Sequence, residues 1–276
     1  MTQEINLGSK CVMGVEKSLG DIITFLEDDD IFFSGKLEKI KRLFESTKGL
    51  VYYHNNYSTI DQRGNNLEIE LFNPIKSPIL FDLDQINEVQ MVNILRKGSF
   101  FNLSCISIRK DVLLPWLERL KQISVAVDNF MFYISLSSNS KLFLDDEILT
   151  GYTIHEENDS IHVGGSLQSI MIKRQSFLER DIEGYEIIIN SVKNQLLLDT
   201  LRYRILAPRI NLYIIDPSKV KISKSECVDG MKYSIRTHYW LLFFLCLFHL
   251  FFEKFHKLSI KIYSFYIMRE VKNLHK

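Results

Sequence analysis

Net charge is what this sequence lacks first: 34 Lys and Arg stand against 34 Asp and Glu in 276 residues. A balanced chain casts no global field toward a polyanion, which argues against a nucleic-acid binder. Cysteine is scarce. Cys11, Cys105, Cys227 and Cys246 lie far apart and form no CxxC pair, so neither a zinc site nor a disulfide framework is expected. Cys105 sits in an apolar run and reads as a small core residue. A reducing, cytoplasmic setting fits that usage. The first twenty residues hold no continuous apolar stretch, so no signal peptide is expected there and the body of the chain is expected on the cytoplasmic side. Repeats and low-complexity linkers are missing too.

What is present is ordinary for a folded protein, with 46% hydrophobic and 25% charged residues. The length allows one large α/β domain, or one domain plus an appendage. Ile22 to Glu27 is a short apolar, β-branched run that stops in acids, which predicts a buried strand ending in a polar loop. Ser34 is a candidate N-cap for a helix whose Leu37, Ile40, Leu43 and Phe44 share one face, and Gly49 ends it. Residues 50–57 read as a strand and 61–66 as a hairpin tip. Further on, helices are expected over 84–96, 110–122 and 127–138, with Pro115 in a first turn or a kink. Strands are expected over 103–108, 141–144 and 148–154, and helix from about 165 to 207. Strands alternating with helices predict helices around a mainly parallel sheet.

Glu27, Asp28, Asp29 and Asp30 are four consecutive acids at the carboxyl end of the first apolar strand. Ligands of open α/β sheets bind in the crevice outside such strand ends. Clustered carboxylates repel one another unless a cation neutralises them. Mg2+ or Mn2+ does so, and a nucleoside diphosphate completes its shell with phosphate oxygens. The plainer alternative is a solvated acidic turn before the next helix. A calcium loop is excluded, because its Asp-x-Asp-x-Asp-Gly order is absent.

The stretch Gly20-Asp21-Ile22-Ile23-Thr24-Phe25-Leu26-Glu27-Asp28-Asp29-Asp30, followed by Lys36-Leu37-Glu38-Lys39, resembles the central motif of family-two glycosyltransferases. Upstream, Asn6-Leu7-Gly8 and Gly14-Val15 resemble the Asn-x-Gly run that precedes that motif, with Met13 where the family usually has Asn. Downstream, Tyr152-Thr153-Ile154-His155-Glu156-Glu157-Asn158-Asp159-Ser160 resembles the Tyr-Arg-x-His-x-x-Asn-x-Ser segment that closes the core of many relatives. The resemblance implies a GT-A fold, an α/β, Rossmann-like sheet. It also implies inverting transfer of a sugar from a nucleotide-diphosphate donor to an acceptor hydroxyl, assisted by Mn2+ or Mg2+.

By this resemblance Asp29 is a metal ligand, and His155 is a second ligand or a contact to the diphosphate. A lone histidine also has an ordinary structural reading. Asp28, Asp30, Asn6 and Gly8 fall on the donor side, Asp28 assisting at the ribose or metal and Asp30 supporting the loop. Asp128 stands where the family places a catalytic carboxylate before an aromatic-rich helix, with Val127 in place of the usual Glu. It is the expected base for the acceptor hydroxyl. Asp before an apolar-periodic run is also a normal N-cap, and the two roles are compatible.

Relatives begin with an apolar strand, a helix and a second strand whose Asp reads the nucleotide base. This chain opens at the Asn-x-Gly element, so its sheet is expected to lack those first strands and to leave an edge open. That sets up a rival expectation: a catalytically inactive remnant serving as a membrane-attached scaffold or binding module. A nucleotidyltransferase would need a Gly-rich, basic loop after the first strand, which is not present. The expected organisation is a partial GT-A domain over 1–164, a helical extension over 165–232 and a hydrophobic, basic tail over 233–276.

In that tail Tyr239 to Phe252 is almost wholly apolar, bracketed by Arg236 and Glu253. A spanning helix needs about 20 apolar residues, so the run is short. Lys254 to Lys276 carries six Lys or Arg against a single acid, Glu270. The expectation is attachment to an anionic membrane surface, as an interfacial or re-entrant helix or a short span. A buried core helix, apolar all round, is the alternative. The acceptor is expected to be a glycan or a lipid-linked sugar, since some relatives with lipid-linked acceptors carry membrane segments after the catalytic domain.

Overall fold

The computed structural model describes residues 5–69, 71, 74–97, 99–138, 140–155, 166–252, 258 and 260–265. The chain divides into two compact units, Met1–Ile154 with Asn190–Leu197, and His155–Ile189 with Leu198–Lys276.

The first unit opens with helix α1 (Leu7–Lys17), which the polar start of the chain did not announce. Asn6 caps it by accepting from the Ser9 amide at 2.8 Å. Strand β1 (Ile22–Thr24) is shorter than expected, because the chain leaves the sheet before the acids. After β2 (Ile31–Phe32) comes α2 (Lys36–Ser46), whose cap is Gly35 at φ 82° and not Ser34. A left-handed residue suits glycine, and it turns Lys36 inward. Then follow β3 (Leu50–Ile60), β4 (Ile79–Asp82) and α3 (Glu88–Arg96), the last closed by a capping box between Asn87 and Gln90. β5 (Ile106–Arg109) leads into α4 (Lys110–Leu113) and α5 (Leu117–Leu120), which a 3-10 turn containing Pro115 separates. Pro115 thus breaks the expected single helix. α6 (Val127–Leu136) and β6 (Lys141–Thr153) complete the unit.

The sheet runs β1-β5-β3-β6-β2, with β4 also paired to β6. Among the described strands only β3 and β6 are parallel; the β1–β5, β2–β6, β3–β5 and β4–β6 pairs are antiparallel. The expectation of a mainly parallel sheet is therefore corrected. Alternating strands and helices mark crossovers, but the direction in which a strand enters depends on which neighbour it finds. Nor do 141–144 and 148–154 form two strands. The acids Asp145, Asp146 and Glu147 are carried within one strand, where the register against β3 slips between His54 and Asn56. A bulge absorbs the extra residues. Asp145 is fully buried there, accepting from Tyr53 at 2.7 Å and pairing with Lys39 at 2.5 Å.

Behind the sheet α6 buries eight of its residues, Phe130, Phe132 and Tyr133 among them. Such a helix is apolar on every side because it has no solvent face. Gly8 brings α1 against the turn after α5, its amide donating to the Ile123 carbonyl at 3.1 Å. A Cβ at Gly8 would lie 2.0 Å from the Leu120 oxygen. Gly8→Ala is expected to cost about 1–3 kcal/mol in urea denaturation, since backbone must move to admit the methyl. An unchanged midpoint would mean that α1 docks only loosely.

The second unit holds α7 (Leu167–Ile189), most of α8 (Gln195–Arg204), α9 (Leu206–Ile215), α10 (Lys224–Thr237) and α11 (Trp240–Phe252). Tyr203 stacks on Tyr233 at 4.2 Å, and Arg209 pairs with Glu226 at 2.6 Å. A capping box between Ser223 and Glu226 starts α10. No described helix is long and apolar enough to cross a membrane.

Candidate functional site

The acids occupy the loop that leaves β1. Thr24 still bonds across to Ser107 at 3.0 Å, and the Glu27 amide then donates to Ser104 Oγ at 2.9 Å. Asp28 and Asp29 form a turn, Asp28 exposed and Asp29 half-buried. Asp30 is buried, and its carboxylate accepts from Asn102 Nδ2 at 2.8 Å and from the Thr153 amide at 3.0 Å. Thr153 Oγ1 also donates to the Asp29 carbonyl. Asp30 therefore ties the loop to the end of β6 and to the segment before β5. Burial raises its pKa, while the bonds from Ser104, Thr153 and Asn102 oppose that rise.

Asp128 comes to this loop from a hundred residues away. It sits half-buried in the first turn of α6, where one carboxylate oxygen accepts from the Asn129 amide at 2.8 Å. The cap position itself belongs to Ala126, at φ 54°, so Asp128 stands inside the helix start and is not its N-cap. The proximity shows at Glu27, whose pKa is pushed up to about 8, by burial first and then by the charges of Asp128, Asp30, Asp29 and Asp28. Burial and these neighbouring charges both favour the protonated form of Glu27, which relieves part of the repulsion within the cluster.

Two described non-glycine residues with positive φ, Asn102 at 51° and Ala126 at 54°, precede segments that face the acids. Asn102 carries one of the bonds to Asp30, and its Oδ1 accepts from the Ser104 amide at 2.5 Å. Ala126 leads directly into Asp128. Strain of this kind persists where surrounding contacts hold it, and it gathers at functional sites.

Lys36 is a residue that sequence reasoning treated only as part of a helix. Its side chain is buried, and Nζ donates to the Ser104 carbonyl at 2.5 Å and to Thr150 Oγ1 at 2.7 Å. The ammonium also lies 4.0 Å from the Phe32 ring centroid. Burial brings its pKa down to about 8, against the opposing influence of Cys105 and Asp30. Ser104 is thus held by Lys36 through its carbonyl and itself holds the Glu27 amide through its hydroxyl. No local pattern distinguishes this lysine from a solvated one.

Asn6 and Gly8, expected on the donor side, are both engaged with the turn after α5. Asn6 Nδ2 donates to the Lys121 carbonyl at 2.9 Å, and Gly8 bonds Ile123. That turn runs straight on to Ala126 and Asp128, so the two residues brace the segment that carries Asp128. His155, half-buried, is the first residue of the second unit. Asn158 and Ser160 lie outside the described residues.

Among the described residues no three His, Cys, Asp or Glu side chains converge as a metal cage. Asp28 and Asp29 nonetheless offer adjacent, hard oxygen donors at an accessible turn. They suit Mg2+ or Mn2+, which takes one or two carboxylates and completes its shell from phosphate and water.

No family model matches this chain. A relative from Haemophilus influenzae, described as an uncharacterised glycosyltransferase, is 32% identical over 116 residues, which are 42% of this chain and 45% of that protein. Another from Rickettsia bellii, described in the same words, is 39% identical over 56 residues, 20% of this chain and 8% of that protein. The crystal structure of Staphylococcus aureus TarS residues 1–349 in complex with UDP-GlcNAc aligns with a TM-score of 0.47 at 11% identity, over 84% of this chain and 63% of that one. The chain spans less than half the length of either curated relative, and over those shared stretches it is similar to proteins described as glycosyltransferases.

Proposed function

We propose that this protein transfers a sugar from a nucleotide-diphosphate donor to an acceptor hydroxyl, with inversion. The observation that supports the reading is the acid loop that leaves β1, tied by Asp30 to Asn102 and to the Thr153 amide, with the charge of Asp128 acting on Glu27 within it. An active site for this reaction needs a diphosphate end and a base end close together, and the likeness to two glycosyltransferases supports the same chemistry. Asp29, assisted by Asp28, would hold Mn2+ or Mg2+. The bound ion supplies Lewis-acid neutralisation of the diphosphate. Asp30, Asn102, Thr153 and Lys36 keep the loop in place, so that little of it must be ordered when donor arrives.

Asp128 takes the proton of the acceptor hydroxyl as that oxygen attacks the anomeric carbon. The bond from the anomeric carbon to the diphosphate oxygen breaks on the opposite face, and the nucleoside diphosphate leaves with that electron pair. Attack opposite the leaving group inverts the anomeric centre. A glycan or a lipid-linked sugar would serve as acceptor.

A second reading is a binding module without transfer activity. The observation favouring it is that β1, which carries the acid loop, pairs only with β5 among the described strands. Calorimetry with UDP and with GDP, in the presence and absence of Mn2+, separates the two. Metal-dependent binding is expected, weakened by roughly tenfold or more in Asp29→Ala. If the folded chain binds neither nucleotide, the sugar-transfer reading fails and the second one stands.

A further inference from the structure

Helix α11 has two faces, although nearly all its residues are apolar. Leu242, Cys246 and His249 are buried at spacings of four and three. His249 meets the Tyr213 ring edge-on at 4.6 Å, and Cys246 packs where α10 has Gly230. Trp240, Leu241, Phe244 and Phe251 point elsewhere, at 48%, 62%, 61% and 70% exposure. With about 100° of rotation per residue, Trp240, Phe244 and Phe251 share an arc of about 40°, while the buried three lie roughly opposite. Leu258, Ile262 and Phe265 are exposed as well and continue that spacing along the sequence.

Single exposed apolar residues are commonplace, but a stripe of large aromatic ones marks an interaction surface. Charge and side-chain type select its occupant. The stretch after α11, Lys254 to Lys276, carries six Lys or Arg against Glu270 alone. Basic residues beside an aromatic-rich apolar face match anionic lipid, and Trp prefers the boundary between headgroups and acyl chains. One face of α11 packs on α9 and α10, so the helix offers only its other face and lies along a surface.

We infer that α11 is an interfacial anchor that lies along an anionic membrane surface, with Trp240, Phe244 and Phe251 in the lipid. This rests on α11 and the charges after it, and is independent of the sugar-transfer reading. The full chain is expected to sediment with phosphatidylcholine vesicles containing phosphatidylglycerol, more weakly as salt rises, and far less with phosphatidylcholine alone. A Phe244→Glu, Phe251→Glu double variant should bind the anionic vesicles roughly tenfold less or weaker still. Circular dichroism must first show that it remains folded. A Trp116→Phe protein, which keeps Trp240 as its single indole, should shift its emission to the blue on binding and needs no charge in α11. Absence of binding by the unaltered chain overturns the inference, as does equal binding by the folded double variant. Light scattering that shows a dimer dissolved by the double variant would assign the face to a second copy instead.

Discussion

Asp128→Asn is expected to reduce the turnover of sugar transfer by about 10²- to 10⁴-fold, the usual contribution of a positioned base. Donor affinity should stay within about twofold, because the change acts on the step and not on ground-state binding. Asparagine has the same shape and can still accept from the Asn129 amide, as the carboxylate does at 2.8 Å. The start of α6 should therefore survive the substitution. What is lost is the capacity to take a proton from the acceptor hydroxyl. Release of nucleoside diphosphate in a coupled assay gives kcat, and calorimetry on the same preparation gives donor affinity. A drop in kcat alone supports the base assignment. Unchanged kcat would reduce Asp128 to a residue that steadies the helix start.

Acidification from pH 6.5 to 4 should remove about 3 kcal/mol of folding stability through His54 alone, from the linkage of its shifted pKa. His54 lies in β3 at 2% exposure, with Nε2 2.5 Å from the Phe101 carbonyl. That contact requires the Nε2–H tautomer, and the buried Nδ1 has no hydrogen-bond partner. Burial brings the pKa down to about 4; the Phe101 carbonyl opposes the shift and the Lys36 charge reinforces it. The folded value lies below the unfolded value of 6.5, so the unfolded chain takes up the proton first as pH falls. The contribution is intact above 6.5 and is lost progressively toward 4. His54→Gln, whose amide can still donate to Phe101, should flatten this part of the curve. Urea midpoints across that range test it, and parallel wild-type and variant curves would refute the assignment.

Local features were legible in the residues. The acids after Thr24 leave β1 as a polar loop, and the apolar spacing from Leu37 to Phe44 places α2. The aromatic run after Asp128 forms α6, and the short apolar stretch after His238 forms α11. These depend on contacts between near neighbours, for which periodicity and turn chemistry suffice. The acid loop and Asp128 were each recognisable as candidates, one from its place after a strand and the other from a family likeness.

Other features were settled only across the sheet. The residues of β5 carry no mark of direction, yet it runs antiparallel to both its neighbours. Asp145, between the two strands expected over 141–144 and 148–154, is tolerated inside β6 because Lys39 and Tyr53 meet it there. Lys36 is buried because the Ser104 carbonyl and Thr150 receive it. Ala126 holds a left-handed backbone and Asn102 a positive φ, conformations that surrounding contacts must fix. The sequence by itself determined which segments become helices and strands and where the acids cluster. Only the tertiary structure decided which charges are buried, which glycine packs a helix, and that the charge of Asp128 acts on Glu27. The physical reason is range: periodicity acts within a few residues, whereas desolvation and Coulomb repulsion depend on whatever the fold places opposite.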